Sequence, residues 1–111
     1  ASDVYKRQVV GSVYVADVVK DYLVNIVAAT RSHDAVRLGA SPRASLHLIR
    51  TARAKAALAG RDYVIPDDVQ AMAIPVLAHR LLPSTRAQLD GISPVDIVSQ
   101  ILTSTPVPEQ V

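Results

Sequence analysis

Arg43 follows a serine and a proline in the run Arg37-Leu-Gly-Ala-Ser-Pro-Arg-Ala44, an order of residue types that suits the capture of an anion. Ser41 can cap the orphan N–H groups of a starting helix, and Pro42 has the fixed φ that a first helical position wants. An arginine in the first turn then works beside the positive end of the helix dipole, and its guanidinium can grip two phosphate oxygens at once. His47 and Arg50 follow four and seven residues later, which at about 100° per residue puts them on the same side of the helix, with Arg53 beside them. Pattern alone fits an anion-facing surface led by Arg43, with His47 and Arg50 as secondary members, as well as it fits an ordinary solvated helix face.

The other reactive residue types form no comparable group. Asp67 and Asp68 are neighbours, and adjacent positions on a helix do not face each other; as a pair they serve the dipole of a helix that begins at Pro66. His33, His47 and His79 lack the spacing of metal ligands, and with no cysteine in the chain no thiolate can help them, so no metal site is expected. The serines have no histidine–aspartate relay near them in sequence. Gly11, Gly39, Gly60 and Gly91 stand alone, and none belongs to a GxxxxGK(S/T) phosphate-binding loop. By itself the chain is expected to hydrolyse no nucleotide.

Composition narrows the classes further. A chain of 111 residues is one domain with a modest core. Half of the residues are hydrophobic, yet there is no Phe and no Trp, so the core must come from Val, Ile, Leu and Ala with tyrosine support. The formal charge of +2 is too small for the strongly basic field of a dedicated nucleic-acid binder. Charged residues make up only 20%, slightly low for a free-standing domain, which suggests that a partner covers some of the surface. The absence of cysteine fits a reducing compartment, no run is apolar enough to span a membrane, and no signal-peptide pattern is seen; a cytoplasmic location is the default expectation.

The elements that must carry these residues read as helices. Residues 1–12 are a lead-in, extended around Gln8–Val10, or a vector-derived remnant. From Val13 to about Arg31 the apolar residues Val15, Val19, Tyr22, Ile26 and Ala29 form one stripe flanked by Val18 and Leu23, opposite Asp17, Lys20, Asp21 and Arg31. Ser32–Ala40 is a connecting loop in which Gly39 supplies a flexible point. A second helix runs from Pro42 to about Ala59, buries Ala44, Leu48, Ile49, Ala52, Ala56 and Ala59, and ends at Gly60. Arg61–Ile65 is a short extended piece. Pro66 opens a third helix with Val69, Met72, Ala73, Val76 and Leu77 on its apolar side, kinked or divided at Pro75. Residues between Arg80 and Gly91 are irregular. Ser93-Pro94-Val95-Asp96 has the spacing of a capping box and starts a last helix with Ile97, Val98, Ile101 and Leu102 inside. Thr103–Val111, with two prolines, leads away from it, and 106–111 is a tail. The fold class expected is all-α, a small bundle of four or five helices with one short extended segment.

Five pieces of the chain, in order, resemble the C-terminal lid domain of MoxR-family AAA+ ATPases: Arg31-Ser-His-Asp34, Val36-Arg-Leu-Gly-Ala-Ser-Pro-Arg-Ala44, Gly60-Arg-Asp-Tyr-Val64, Pro66-Asp-Asp-Val69 and His79-Arg-Leu81. The likeness covers residues 13–105, and it implies a helical lid there. The resemblance places the sensor 2 arginine at Arg43, in the family an arginine that contacts the γ-phosphate of ATP held by a P-loop domain. For the helix-insert branch of these ATPases it implies service across a subunit boundary.

It further implies ATP and Mg²⁺ bound mainly by an upstream P-loop domain, neighbouring subunits of a homo-oligomeric ring, and a protein client remodelled by a chaperone-like machine. The P-loop, the acidic magnesium motif, sensor 1 and the arginine finger are missing from this sequence, as expected of a fragment or excised domain. Ile65 stands where the family commonly has a capping threonine, which predicts a slightly weaker start to the third helix.

Two other classes compete. Ala57–Val69 also resembles the second half of a histone fold, which would make the chain a small DNA-binding module; the low charge, the Ser41-Pro42-Arg43 start and Pro75 weigh against it. A plain helical interaction domain is the third reading, and for it Arg43 would be dispensable.

Overall fold

The computed structural model describes residues 12–108, in which four α-helices pack around one core, joined by a short fifth helix and a two-stranded sheet. The order is α1 (Asp17–Ser32), β1 (Val36–Leu38), α2 (Ala44–Leu58), α3 (Pro66–Leu77), a single 3₁₀ turn (Ala78–Arg80), β2 (Leu82–Pro83), α4 (Thr85–Leu89) and α5 (Pro94–Ser104). The helical class read from the sequence is what the chain adopts. The segment around Gln8–Val10 lies outside the described residues.

The first helix starts later than its apolar pattern suggested. Val13 and Val15 are buried while Tyr14 is exposed, the alternation of an extended strand. Tyr14 pairs with Tyr63 in a parallel bridge, its N–H donating to the Asp62 carbonyl and its carbonyl accepting from the Val64 N–H, both at 2.8 Å. The piece 61–65 is thus extended as expected, with an unexpected partner. Within α1 the buried face is Val19, Tyr22, Leu23, Ile26, Val27 and Thr30, and Val18 lies outside it. Tyr22 keeps its hydroxyl satisfied by accepting a bond from Gln70 of α3 at 3.0 Å.

α2 buries Ala44, Leu48, Ala52 and Ala56, whose small side chains let it lie close to α3, its main neighbour; Ile49 is half-buried and Ala59 exposed. Gly60 ends it with φ +79°. The Gly60 N–H bonds the Ala57 carbonyl at 3.0 Å and the Arg61 N–H bonds Ala56 at 2.9 Å, a complete Schellman stop. That stop aims Arg61 at the start of α3. Its guanidinium holds Asp68 with two bonds of 2.6 and 2.7 Å.

Asp68 corrects the reading of Asp67 and Asp68 as a pair serving only the dipole. Asp67 is exposed, but Asp68 is 2% exposed and accepts from the Ile65 N–H at 2.9 Å as well as from Arg61. Ile65 offers no side-chain cap, and Asp68 closes the start of α3 from the inside instead. Burial, the largest single influence, raises the Asp68 carboxyl; the Arg61 hydrogen bond, the Ile65 N–H and the Arg61 charge together outweigh it and hold the group below the usual carboxylate range. The same hydrogen bond raises Arg61.

Pro75 does not divide α3: the helix continues to Leu77 before tightening to 3₁₀. Pro75 and Ala71, whose carbonyl loses its donor, are both exposed, so solvent can take the place of the missing N–H.

The connecting regions hold more order than the sequence showed. β1 lies in the supposed loop 32–40 and pairs antiparallel with β2, matching Val36 to Pro83 and Leu38 to Leu82. The Ser84 hydroxyl caps α4 by accepting from Ala87 at 3.1 Å. The expected capping box of α5 is complete: Ser93 Oγ accepts from Asp96 N–H at 3.1 Å, and Asp96 accepts from Ser93 N–H at 2.9 Å. The Ser93 N–H first, and then the Ser93 hydroxyl, lower the Asp96 carboxyl. Thr103 and Ser104 belong to α5 rather than to a departing segment, their hydroxyls bonded back to the Ser99 and Gln100 carbonyls.

A depressed folded-state carboxylate stabilises the fold fully above its unfolded value of 3.8 and loses that contribution as pH falls below it. Urea titrations between pH 7 and pH 2 should therefore show stability dropping below about pH 4. Asp68→Asn should lower unfolding free energy at pH 7 by about 2–3 kcal/mol, since it strands a mostly buried guanidinium. It should also flatten the acid limb; an unchanged acid limb would place the titration elsewhere.

Candidate functional site

Thr30 and Arg31, at the end of α1, set the position of the Gly39–Arg43 segment. Thr30 is completely buried, and its hydroxyl donates to the Val27 carbonyl at 2.6 Å while accepting from the Ala40 N–H at 3.0 Å. The next residue, Arg31, donates from Nη1 to the Ala40 carbonyl at 3.0 Å. Both polar groups of Ala40 are thus held by consecutive residues of α1. Gly39 fits between because it has no side chain: a Cβ there would lie 2.5 Å from the Thr30 carbonyl oxygen and 2.7 Å from the Arg31 Cα. Its role is close approach, which replaces the flexible point expected of it.

From this anchor the chain turns into α2. Ser41, Pro42 and Arg43 form a tight lead-in, with the Ala44, Ser45 and Leu46 N–H groups donating to the Ser41, Pro42 and Arg43 carbonyls at 2.9, 3.1 and 3.0 Å. Two corrections follow. Ser41 contributes its carbonyl and no side-chain cap, because the residue flanking α2 is Arg43 in helical conformation (φ −62°, ψ −25°), whereas a capping side chain works from extended backbone. Three amides at this helix start are already bonded, so they are not free to meet the anion that the sequence pattern suggested there. Pro42 sits one residue before Arg43, inside the turn, where its fixed φ suits the geometry.

Arg43 is exposed and, among the described residues, its side chain makes no hydrogen bond or ion pair. His47 and Arg50 are exposed on the same side of α2 and are likewise unpartnered through their side chains. The helix therefore does line up the three residues that the spacing singled out. Arg53 departs from them: it is half-buried, and its Nε is hidden without a hydrogen-bond partner. Leu46, 54% exposed, interrupts the face, so the strip is mixed rather than continuously basic.

The remaining candidates have structural duties. His33 flanks the end of α1, where Nδ1 accepts from the Ala35 N–H at 3.0 Å. That bond requires the proton on Nε2, which lies 3.1 Å from Gln100 Oε1 on α5. His79 lies in the 3₁₀ turn and is exposed. No three His, Asp or Glu side chains converge on a metal-sized point among the described residues. Thr30 and Arg31 are what sequence reasoning missed. A threonine on the apolar side of a helical stripe, ten residues before the loop it serves, was the available signal.

Comparison with known proteins places this arrangement. Residues 28–101 match the family model described as AAA lid domain. The chain is 42% identical over 107 residues to the uncharacterized protein YeaC of Bacillus subtilis, covering 96% of this chain and 33% of that protein. It is 38% identical to chaperone MoxR1 of Mycobacterium tuberculosis, covering 93% of this chain and 30% of the relative. With the protein MoxR of Paracoccus denitrificans the identity is 40%, over 72% and 25%. The crystal structure of a candidate ATPase from Cytophaga hutchinsonii superposes with a TM-score of 0.87 at 30% identity, covering 93% of this chain and 34% of that one. The chain thus spans about a third of the length of the proteins it matches.

Gly39→Ala should cost about 1–3 kcal/mol, because backbone atoms block the new methyl group. Gly60→Ala meets no neighbour and should cost about 1 kcal/mol, for its left-handed backbone alone. Urea denaturation of both variants checks the order; equal or inverted costs would show that the Gly39 contact relaxes freely.

Proposed function

This chain belongs to the AAA lid domain family, as the lid of a MoxR-type ATPase, and from that premise we propose that Arg43 is its sensor for the terminal phosphate of ATP. One observation supports the reading above all: among the described residues Arg43 has no side-chain partner and stands exposed in the Gly39-Ala-Ser-Pro-Arg43 motif, while the backbone beneath it is fixed at Ala40. A guanidinium with an internal carboxylate partner would have to give it up before answering a ligand. Among the described residues this one has none to give up.

The residues present fit a phosphate and not a whole nucleotide. Arg43 supplies planar donors for one phosphate group, with His47 and Arg50 further along the same exposed face. The chain has no P-loop, and among the described residues no acidic side chains converge for Mg²⁺, so base, ribose and metal would belong to another domain. ATP bound there would supply the reacting phosphoryl group and Mg²⁺ its charge neutralisation. The lid contributes a positive charge that gains more from ATP than from ADP, since one more phosphate is within reach. Only such a difference in binding free energy can bias a hinge between closed and open lid positions. In a ring of identical subunits, Arg43 would answer the nucleotide of a neighbour, and the resulting motion would be passed to a protein client. The chaperone name of the Mycobacterium tuberculosis relative supports that direction.

A DNA-binding role is not favoured. The formal charge is +2, and an exposed leucine interrupts the strip of Arg43, His47 and Arg50. No helix among the described residues is long and apolar enough to cross a membrane.

Arg43→Ala in the full ATPase should reduce ATP turnover on the order of a hundredfold, the scale of removing one preorganised charged donor from a phosphoryl-transfer site. The melting behaviour should barely change, because an exposed, unpartnered side chain contributes within about 0.5 kcal/mol. Unchanged turnover would remove Arg43 from the sensing role. A salt titration on duplex DNA should show no sub-micromolar binding; tight binding with a steep salt slope would revive the DNA-binding reading.

A further inference from the structure

Arg43 can report on a phosphate only if its Cα is held still relative to the rest of the lid, and we propose that Thr30 and Arg31 are the positioning residues that hold it. The inference rests on the sensor reading of Arg43 and adds what that reading leaves open, the part of the lid that the sensor is fixed to.

Thr30 is the wrong residue for its place if packing were all that mattered. It is completely buried in the last turn of a helix, where valine would fill nearly the same volume with no hydroxyl to satisfy. Its hydroxyl is nevertheless fully used, donating to Val27 and accepting from Ala40. Ala40 is 1% exposed, so without Thr30 its N–H would be buried and unpaired. Arg31 holds the carbonyl of the same residue. Gly39 permits the contact by leaving room for the Thr30 carbonyl.

Few free torsions separate this anchor from the sensor. Pro42 has a fixed φ, Arg43 is in helical conformation, and the Ser41 carbonyl is tied to the Ala44 N–H. Arg43 is therefore referenced to the end of α1 as firmly as to α2. A pull on its guanidinium is delivered to both helices together. Misplacement of a charged donor by about 1 Å can cost on the order of a hundredfold in rate, and a variant that loses Thr30 but keeps the Arg31 bond should fall short of that limit.

The test compares Thr30→Val, which removes the acceptor, with Thr30→Ser, which keeps it. In the full-length ATPase, hydrogen exchange at the Ala44, Ser45 and Leu46 amides should rise about tenfold or more in Thr30→Val relative to the Ile97–Ile101 amides of α5, and should stay near the parent value in Thr30→Ser. Thr30→Val should lower kcat for ATP about tenfold with KM changed less than about twofold, and should add nothing further on an Arg43→Ala background. A general loss of stability would raise exchange everywhere and multiply the Arg43→Ala defect; either result overturns the inference. Undisturbed Ala44–Leu46 amides in Thr30→Val overturn it as well. If Arg43→Ala alone leaves turnover unchanged, the sensor reading has failed, and the exchange data separately decide whether Thr30 holds the start of α2.

Discussion

The backbone at Gly39 approaches the last turn of α1 so closely that no side chain fits between them, and the geometry of the lid follows from that contact. A methyl group there would lie 2.5 Å from the Thr30 carbonyl oxygen, well inside any tolerable separation. Because the gap is closed, the next residue can be bonded on both its N–H and its carbonyl by α1. The turn at Ser41-Pro42-Arg43 follows directly, and α2 leaves it with its alanine face inward and Arg50 outward, while Arg53 is half-buried. A basic residue on a helix surface is ordinary. One whose backbone is fixed this tightly while its side chain has no partner among the described residues is not.

A second constraint governs the opposite end of α2. The left-handed Gly60 stops the helix and turns Arg61 back toward α3, where Asp68 receives it in a bidentate pair. Asp68 does two jobs at once, closing the N-terminus of α3 and neutralising a guanidinium largely removed from water. Burial would raise the acid, but its two sets of donors prevail, so the pair stays ionised at neutral pH. The two ends of α2 thus treat arginine in opposite ways. Arg61 is engaged and structural, while Arg43 has no side-chain partner among the described residues.

That contrast explains how one small lid can be both rigid and responsive. Its core is assembled from Val, Leu, Ile and small alanines, with Tyr22 tied to Gln70 across the interior. Rigid helices convert a force at one point into motion of the whole element, and under the proposed sensor reading the exposed Arg43 guanidinium is where a nucleotide held elsewhere would apply it. The match to a solved relative at a TM-score of 0.87 shows that the arrangement of helices belongs to the family rather than to this sequence alone.

Much of this was legible in the residues themselves. Helix class, the stop at Gly60, the capping box at Ser93, the buried faces of α2 and α5 and the exposed strip of Arg43, His47 and Arg50 all follow from local rules, in which a residue acts on neighbours within one or two turns. What the local pattern misplaced depends on distant partners. Val13–Val15 reads as helical until Tyr14 meets residues 62–64; Asp67 and Asp68 look alike until Arg61 selects one of them. Gly39 passes for a hinge until Thr30 stands against it, and nothing local ties Thr30 to Ala40, ten positions away. Periodicity can say which side of a helix faces inward. Only the folded chain decides which inward group must bond to which, because that choice depends on atoms brought within 3 Å by packing rather than by sequence.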